Sequence, residues 1–419
     1  MNAYSIRLER FRSELKWLFC ELYYGRGDAL PVLEEKMQAA YTARPAKLRE
    51  RDGLLMNNPG WYRMAAMQEK FADRSANVGV LDIPETPETA EQFLEVADRF
   101  FALSAKDLDA VRVTGVDRLF IIPNTEWQHR QKTHDFTRIL RILNDIVSPS
   151  VLLTLNMVQP REEVSAFFGQ QDRPEFHMID DRAFVPALWN TVATQDTRVL
   201  ADEVRQHAMQ PKYYVFTRSL NRPEGFAWEL DYAFLDMLKM QKDTHCKYLN
   251  DFFTKRKRGE KARAKALKNA SGETVGILGD TESMVRGDVK LNELIHAVLF
   301  MQSGIPLLPE EKAGKTDGTD ASLKRKFSTL LKLRRSYHAF DANADVWTMD
   351  TDNNAILGIG RYKEGQKFYG FFNFSPEAQV FTLRDPGQYE NLLNGKELNV
   401  NGLVRLPAYG YAWLFRENG

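Results

Sequence analysis

VRVTGVDRLFIIPNTEWQ (111–128) and SPSVLLTLNMVQPREEVSAFFG (148–169) bracket a helix-like segment, Thr133–Ile146. Within them Val111–Val116 and Ser150–Leu155 are short, apolar and β-like. The whole reads as strand–helix–strand, the unit from which parallel sheets are built. In an α/β barrel, chemistry sits at the C-terminal ends of such strands. Here those ends carry Thr114 and Asn156. What the chain does turns on whether these two residues can replace the carboxylates usual there.

Outward from this unit, residues 1 to about 70 read as helices. Ile6, Phe11, Leu15, Leu18 and Phe19 recur at helical spacing until Gly25, Gly27 and Pro31 break the run. Leu33–Tyr41 reads as a second helix, and Ala46–Asp52 as a third opened by Pro45. Asn57-Asn58-Pro59-Gly60 is a turn or linker. Ala76–Ile83 is a strand stopped by Pro84 and Pro87, and Thr89–Leu103 an amphipathic helix. Beyond Gly169, Ala183–Arg205 and Asp231–Phe253 read as helices and Lys212–Arg218 as a strand. Val289–Met301 reads as a buried helix, Ile305–Leu308 as an apolar run, and Leu323–Tyr337 as a basic amphipathic helix. From about Ala344 the pattern changes to short strands at regular spacing: Ala355–Tyr362, Lys367–Asn373, Gln379–Leu383, Tyr389–Leu393 and Tyr409–Phe415. These predict a small antiparallel β domain.

The chain has 419 residues, enough for a large core and more than one domain. Its 57 basic and 57 acidic residues cancel, so no bulk field draws it to nucleic acid or membrane. Two distant cysteines, Cys20 and Cys246, exclude a disulfide framework and a cysteine metal site. The N-terminus is charged from Arg7 onward and lacks the apolar core of a signal peptide. No window reaches the roughly 18 apolar residues of a membrane span. The expectation is a cytoplasmic protein.

Several runs resemble, in order, the amylosucrases of the α-amylase family of retaining glycoside hydrolases and transglucosidases. They are LYYGRGD, ARPAKLRERD and NPGWYR; PALWNTVATQDTRVL; YLNDFFTKRKRGEKARAKALKNASGETVGILGDTESM; LNELIHAVLFMQSGIPLL; and DTDNNAILGIGRY with FFNFS. The resemblance implies a helical N-terminal domain (1–70), a (β/α) barrel (71–340) and a C-terminal β-sandwich (341–419). It also implies an aspartate nucleophile on the fourth barrel strand, a glutamate proton donor ending the fifth, and an aspartate after the seventh. Retaining glycosidases need an anionic nucleophile and a proton donor roughly 5 Å apart.

Carried over residue by residue, that chemistry is missing. The fourth-strand motif Arg, apolar, Asp, Ala becomes Arg112, Val113, Thr114, Gly115. An unactivated hydroxyl is a poor nucleophile. The fifth-strand glutamate becomes Asn156, an amide with no proton to give at neutral pH. The seventh-strand motif Arg, Ser, His, Asp, Asp becomes Arg218, Ser219, Leu220, Asn221, Arg222. All three carboxylate positions are thus neutral, at Thr114, Asn156 and Asn221. Between the N-terminal helices and Arg112 there is room for one strand and one helix, where the family has three βα units and an inserted subdomain. A closed eight-stranded barrel takes about 250 residues. The fold expected is therefore α/β, an incomplete (β/α)8 TIM-type barrel of five or six strands between the helical and β domains.

Arg112 and Arg218 are the substrate-binding candidates. They read equally as anion or sugar ligands and as structural ion pairs with new partners. Candidate compensating acids are Asp117, Glu162, Glu163, Asp180, Asp181 and Glu224. The basic run Lys255–Lys268 reads as a solvated helix face, with little aromatic interleaving for nucleic acid. No metal-ligand spacing appears among the seven histidines, so no metal or cofactor is expected. The aromatic strand residues Phe368, Tyr369, Phe371, Phe372 and Phe374 read as core rather than sugar platforms. The function expected is a degenerate, inactive family relative, a pseudoenzyme. It would bind an α-glucan or sucrose-like carbohydrate, or act as a homo-oligomer or beside an intact family member, without membrane or nucleic acid. An active hydrolase or transferase with relocated carboxylates, and a structural oligomer, are the competing classes.

Overall fold

The computed structural model describes residues 3–54, 77–122, 130–157, 161–222, 224–255, 264–308 and 318–417. It divides into two compact units, Met1–Asp180 and Asp181–Gly419. This division by compactness is a different cut from the three sequence domains, 1–70, 71–340 and 341–419, which remain a proposal.

The first unit opens with α1 (Ala3–Leu22), α2 (Leu30–Ala43) and α3 (Ala46–Leu54). Tyr4, Leu15, Leu18, Phe19 and Leu22 bury one face of α1. Ile6, read from sequence as part of that face, is 46% exposed. Arg7 takes the buried place, its Nε donating to the Ile146 carbonyl at 2.8 Å. Pro31 sits in the first turn of α2, where no partner for an N–H is needed. Arg44 and Asp52 form a fully buried ion pair at 2.6 Å. Asp52 also accepts from the Ser150 backbone at 3.1 Å, which fixes these helices near the start of the third strand.

The strand–helix–strand unit is present, with one more strand on each side. β1 (Val78–Asp82) leads to α4 (Ala90–Ser104), whose N-terminus is closed by a capping box of Thr89 and Gln92. Then follow β2 (Ala110–Thr114), α5 (Arg130–Val147), β3 (Leu152–Asn156) and β4 (Met178–Asp180). The four strands are parallel neighbours in chain order. Residues 152–155 of β3 are all buried, as in a parallel sheet covered on both faces. β4 escaped the sequence reading because three residues show no periodicity.

The second unit begins with α6 (Phe184–Thr194) and α7 (Arg198–Ala208). The sequence read one helix here. It breaks because Gln195 takes φ +58, ending α6 in a left-handed cap. β5 (Val215–Arg218) and the two-residue β6 (Phe226–Ala227) follow. The helix read at Asp231–Phe253 is also broken, at Lys239 with φ +61, and its second part is α8 (Lys242–Thr254). β7 (Lys265–Lys268) and β8 (Thr274–Leu278) make a hairpin that pairs with β6. The basic run therefore ends in a strand rather than a helix face, and 256–263 lies outside the described residues. α9 (Val289–Met301) is buried along almost its whole length. It leads to β9 (Ile305–Pro306), parallel to β5, and α10 (Gly318–Ser336) follows. Parallel strands among the described residues number six, two short of a closed eight-stranded barrel.

The C-terminal strands are β10 (Asp345–Met349), β11 (Ile356–Lys363), β12 (Gln366–Asn373) and β13 (Gln379–Thr382). They continue with β14 (Gly387–Asn391), β15 (Lys396–Val400), β16 (Leu403–Leu406) and β17 (Tyr411–Glu417). A six-stranded antiparallel sheet runs β10-β11-β12-β17-β14-β15, and β13 pairs with β16. Tyr369, Phe371 and Leu414 of the large sheet pack with Phe381, Leu383 and Leu406 of the small one. The other face, with Phe368, Phe372 and Trp413, joins the α6, α7 and α9 core. The strand aromatics are core, as read. Among the described residues no helix is long and apolar enough to cross a membrane.

Candidate functional site

The strand ends of the first unit bring together residues far apart in sequence. Asp82 pairs in register with Thr114, and Thr114 with Asn156. Side chains alternate across a strand. Leu81, Val113, Leu155 and Ile179 therefore point to one face, where all are buried. Asp82, Arg112, Thr114, Thr154, Asn156 and Asp180 share the other, which is consequently polar. Thr114 Oγ1 donates to Asp82 Oδ1 at 2.7 Å. Arg118 lies 3.6 Å from the same carboxylate. Arg112, cross-strand from Thr154, donates from Nη2 to Asp180 Oδ2. Gly115 follows Thr114 with φ +87, and a Cβ there would stand 2.2 Å from the Ile83 carbonyl oxygen. Only glycine fits this turn.

In the second unit the fate of the other arginine is similar. Arg218 Nε and Nη2 both reach Asp181 Oδ2, at 2.8 and 2.7 Å, with the two side chains 2% and 1% exposed. Its Nη1 donates to the Ser303 carbonyl at 2.7 Å and to Ser303 Oγ at 3.0 Å. Two further arginines, the half-buried Arg334 and the fully buried Arg361, serve the same turn at the end of α9. Arg334 donates to the carbonyls of Phe300, Gln302 and Gly304. Arg361 donates to those of Met301, Ala339 and Asp341. Cations complement the negative end of a helix dipole, and these donors satisfy carbonyls that α9 leaves unpaired. Burial lowers the Arg334 guanidinium to about 10, with Arg218 adding to the shift. Leu220, where the resemblance places a histidine, is buried in the core, and its carbonyl accepts from Trp189 Nε1 at 2.7 Å. Asn221 is half-buried, its carbonyl accepting from Ser219 Oγ at 2.9 Å. Arg222 is buried and donates to the Asp181 carbonyl at 3.3 Å.

Among the described residues, four of the six candidate acids face arginines. Asp180 and Asp181 hold Arg112 and Arg218. Glu163 pairs with Arg130 at 2.9 Å, and Glu224 lies 3.8 Å from Arg222. Asp117 is in the tight turn Val116–Arg118, and the side chain of Glu162 lies outside the described residues. The carboxylate the sequence reading missed is Asp82. Nothing in residues 78–82 marks it, because only the parallel register sets it beside Thr114. Asp82 and Asp180 stand on the first and fourth strands, with β2 and β3 between them. Asp135, whose carboxyl burial pushes up, lies on α5 and not at a strand end. Among the described residues no three His, Cys, Asp or Glu side chains are grouped to hold a metal. What the first unit's face offers is hydrogen bonding by a hydroxyl, an amide and a guanidinium–carboxylate pair.

Residues 359–413 match the family model described as the beta-galactosidase C-terminal domain. The chain is 23% identical over 350 residues to the glucosylglycerate phosphorylase of Escherichia coli (strain K12). That match covers 74% of this chain and 59% of that enzyme, so the chain spans about three fifths of its relative's length. The fold is also that of AmyP, solved in complex with maltose, at TM-score 0.53 and 12% identity over 85% of this chain and 78% of that one. The alpha-amylase from Geobacillus thermoleovorans, solved with acarbose, matches at TM-score 0.50 and 11% identity, over 80% and 66%. The chain is similar in sequence to the phosphorylase, and its six described parallel strands with C-terminal antiparallel sheets share the alpha-amylase fold.

Proposed function

We propose that this chain is a catalytically inactive, amylosucrase-like relative of these enzymes whose role is to bind. Its ligand is an α-glucan or sucrose-like carbohydrate, taken up alone or while regulating an intact family member in the cytoplasm. One observation carries the reading. The three carboxylate positions hold Thr114, Asn156 and Asn221, and the flanking arginines are occupied by Asp180 and Asp181. Hydrolysis or transfer then lacks nucleophile, proton donor and distorted-sugar clamp together. A hydroxyl and an amide are groups that hydrogen-bond sugar hydroxyls without cleaving anything. The relatives bearing maltose and acarbose support the ligand class.

A second reading, assembly through the sheet edge, is favoured by β1. Its ladder partner among the described residues is β2 alone, and Val78 and Val80 are 47% and 58% exposed. The test of the main reading incubates purified protein with sucrose, maltose and linear α-glucan, with and without inorganic phosphate. Fructose, glucose and glucose 1-phosphate are quantified, and binding is followed by calorimetry. The expected result is saturable binding without product. Turnover that disappears in Asp117→Ala or Glu224→Ala refutes inactivity, and the absence of any binding refutes the carbohydrate role.

A further inference from the structure

The edge of the first unit's sheet is β1, and its peptide groups can be assigned one by one. The Asn77 carbonyl accepts from Asp109 N at 2.8 Å, and Ile83 N donates to the Thr114 carbonyl at 3.0 Å. Peptide groups alternate in direction along a strand, so those of Asn77, Gly79, Leu81 and Ile83 face β2. Those of Val78, Val80 and Asp82 then face away from it. One outward group is already engaged: Arg99 Nη1 donates to the Asp82 carbonyl at 2.9 Å. Among the described residues β1 has β2 as its one ladder partner, and the Val78 and Val80 residues are 47% and 58% exposed.

The other ends of the sheets with three or more strands are blunted. β9 carries Pro306, β7 carries Lys265 and Lys268, β10 carries Asp345, β15 carries Lys396 and Glu397, and β6 is two residues long. Charge, proline and shortness are the devices that keep an edge from pairing. β1 has only Asp82, at its far end, and that carboxylate is engaged by Thr114 at 2.7 Å. A neutral, apolar edge is complemented by another of the same kind. A charged strand laid along it would leave its charges against the two valines.

We propose that β1 pairs antiparallel with β1 of a second copy of this chain, across a two-fold axis at Gly79. In that register Val78 of each copy lies opposite Val80 of the other. Both residues turn their peptide groups outward, so each such pair exchanges both of its N–H···O bonds. Gly79 falls opposite itself in the close, non-hydrogen-bonded pair, where α-carbons approach to about 4.5 Å and glycine adds no side chain. The valines of both copies share one face and pack across the seam. An axis at Val80 instead would set Val78 against Asp82, whose carbonyl Arg99 already holds. The contact is isologous, so it closes at two copies. The proposal rests on the edge-assembly reading given above and supplies its partner and register.

The test is sedimentation velocity of the full chain over a range of concentrations, with circular dichroism as the check on folding. The unmodified chain should pass from monomer to dimer and no further. Val78→Lys combined with Val80→Lys should raise the dissociation constant at least about tenfold, because like charges then face each other across the seam. Val78→Lys combined with Val80→Glu should restore most of the loss, because this register sets opposite charges face to face. An axis at Val80 would set like charges against each other and give no rescue. Monomer at every concentration overturns both the pairing and the edge-assembly reading. A dimer that neither double variant weakens, or growth beyond two copies, overturns the two-fold pairing of β1. Dimerisation lost equally in both double variants overturns the register and leaves edge assembly standing.

Discussion

The sharpest test concerns Asp181. If Arg218 is a closed structural partner of Asp181, removing the negative charge without changing shape should be expensive. In Asp181→Asn the Arg218 guanidinium, 2% exposed, loses two charge-assisted contacts at 2.7–2.8 Å. It stays beside Arg334 and Arg361, whose guanidinium groups burial and mutual repulsion already push down. Breaking one side of a buried ion pair costs about 3–5 kcal/mol. For a unit of this size that is roughly 6–20 °C in Tm. The double variant Asp181→Leu with Arg218→Met removes both charges and relieves the repulsion. It leaves the Ser303 carbonyl without its 2.7 Å donor, so about 1–2 kcal/mol is expected. Urea unfolding followed by tryptophan fluorescence is suitable, because Trp189 and Trp413 lie in this unit's core. A double-mutant cycle then gives a coupling of at least about 2 kcal/mol. An Asp181→Asn cost under about 1 kcal/mol, or a double variant costing the sum of the singles, refutes the structural pairing and returns Arg218 to the ligand-binding candidates.

Three other outcomes follow from the geometry. Thr114→Asp puts a carboxylate against Asp82, the present hydrogen-bond partner at 2.7 Å. One of the two should titrate well above the usual carboxylate range by NMR, and no glycosyl transfer should appear even with Asn156→Glu. Gly115→Ala forces a Cβ to 2.2 Å from the Ile83 carbonyl at φ +87, and a loss of more than about 2 kcal/mol is expected in urea unfolding. His296 is stacked on Phe327 at 4.0 Å, and burial lowers its imidazole to about 4. Its unfolded form binds a proton first, so stability should be full above about pH 6.5 and fall by up to about 3 kcal/mol towards pH 4. His296→Phe should flatten that slope, and an unchanged pH profile would count against the buried neutral imidazole.

The sequence by itself determined the layered pattern of this protein. Apolar runs flanking Thr133–Ile146 specify a parallel unit, and regular short strands after Ala344 specify an antiparallel domain, because periodicity reports burial directly. It also determined that Thr114, Asn156 and Asn221 are neutral, which no fold can change. Broken helices at Gln195 and Lys239 were not legible, since a left-handed backbone at a non-glycine residue leaves no compositional mark. Nor was β4, too short for any period. What only the tertiary structure decided is where the remaining charges go. The ladder register sets Asp82 against Thr114, and the ends of β4 and α9 take up the two arginines. Ion pairs between residues 68 and 37 positions apart depend on distance in space, and that distance exists only once the strands are laid side by side.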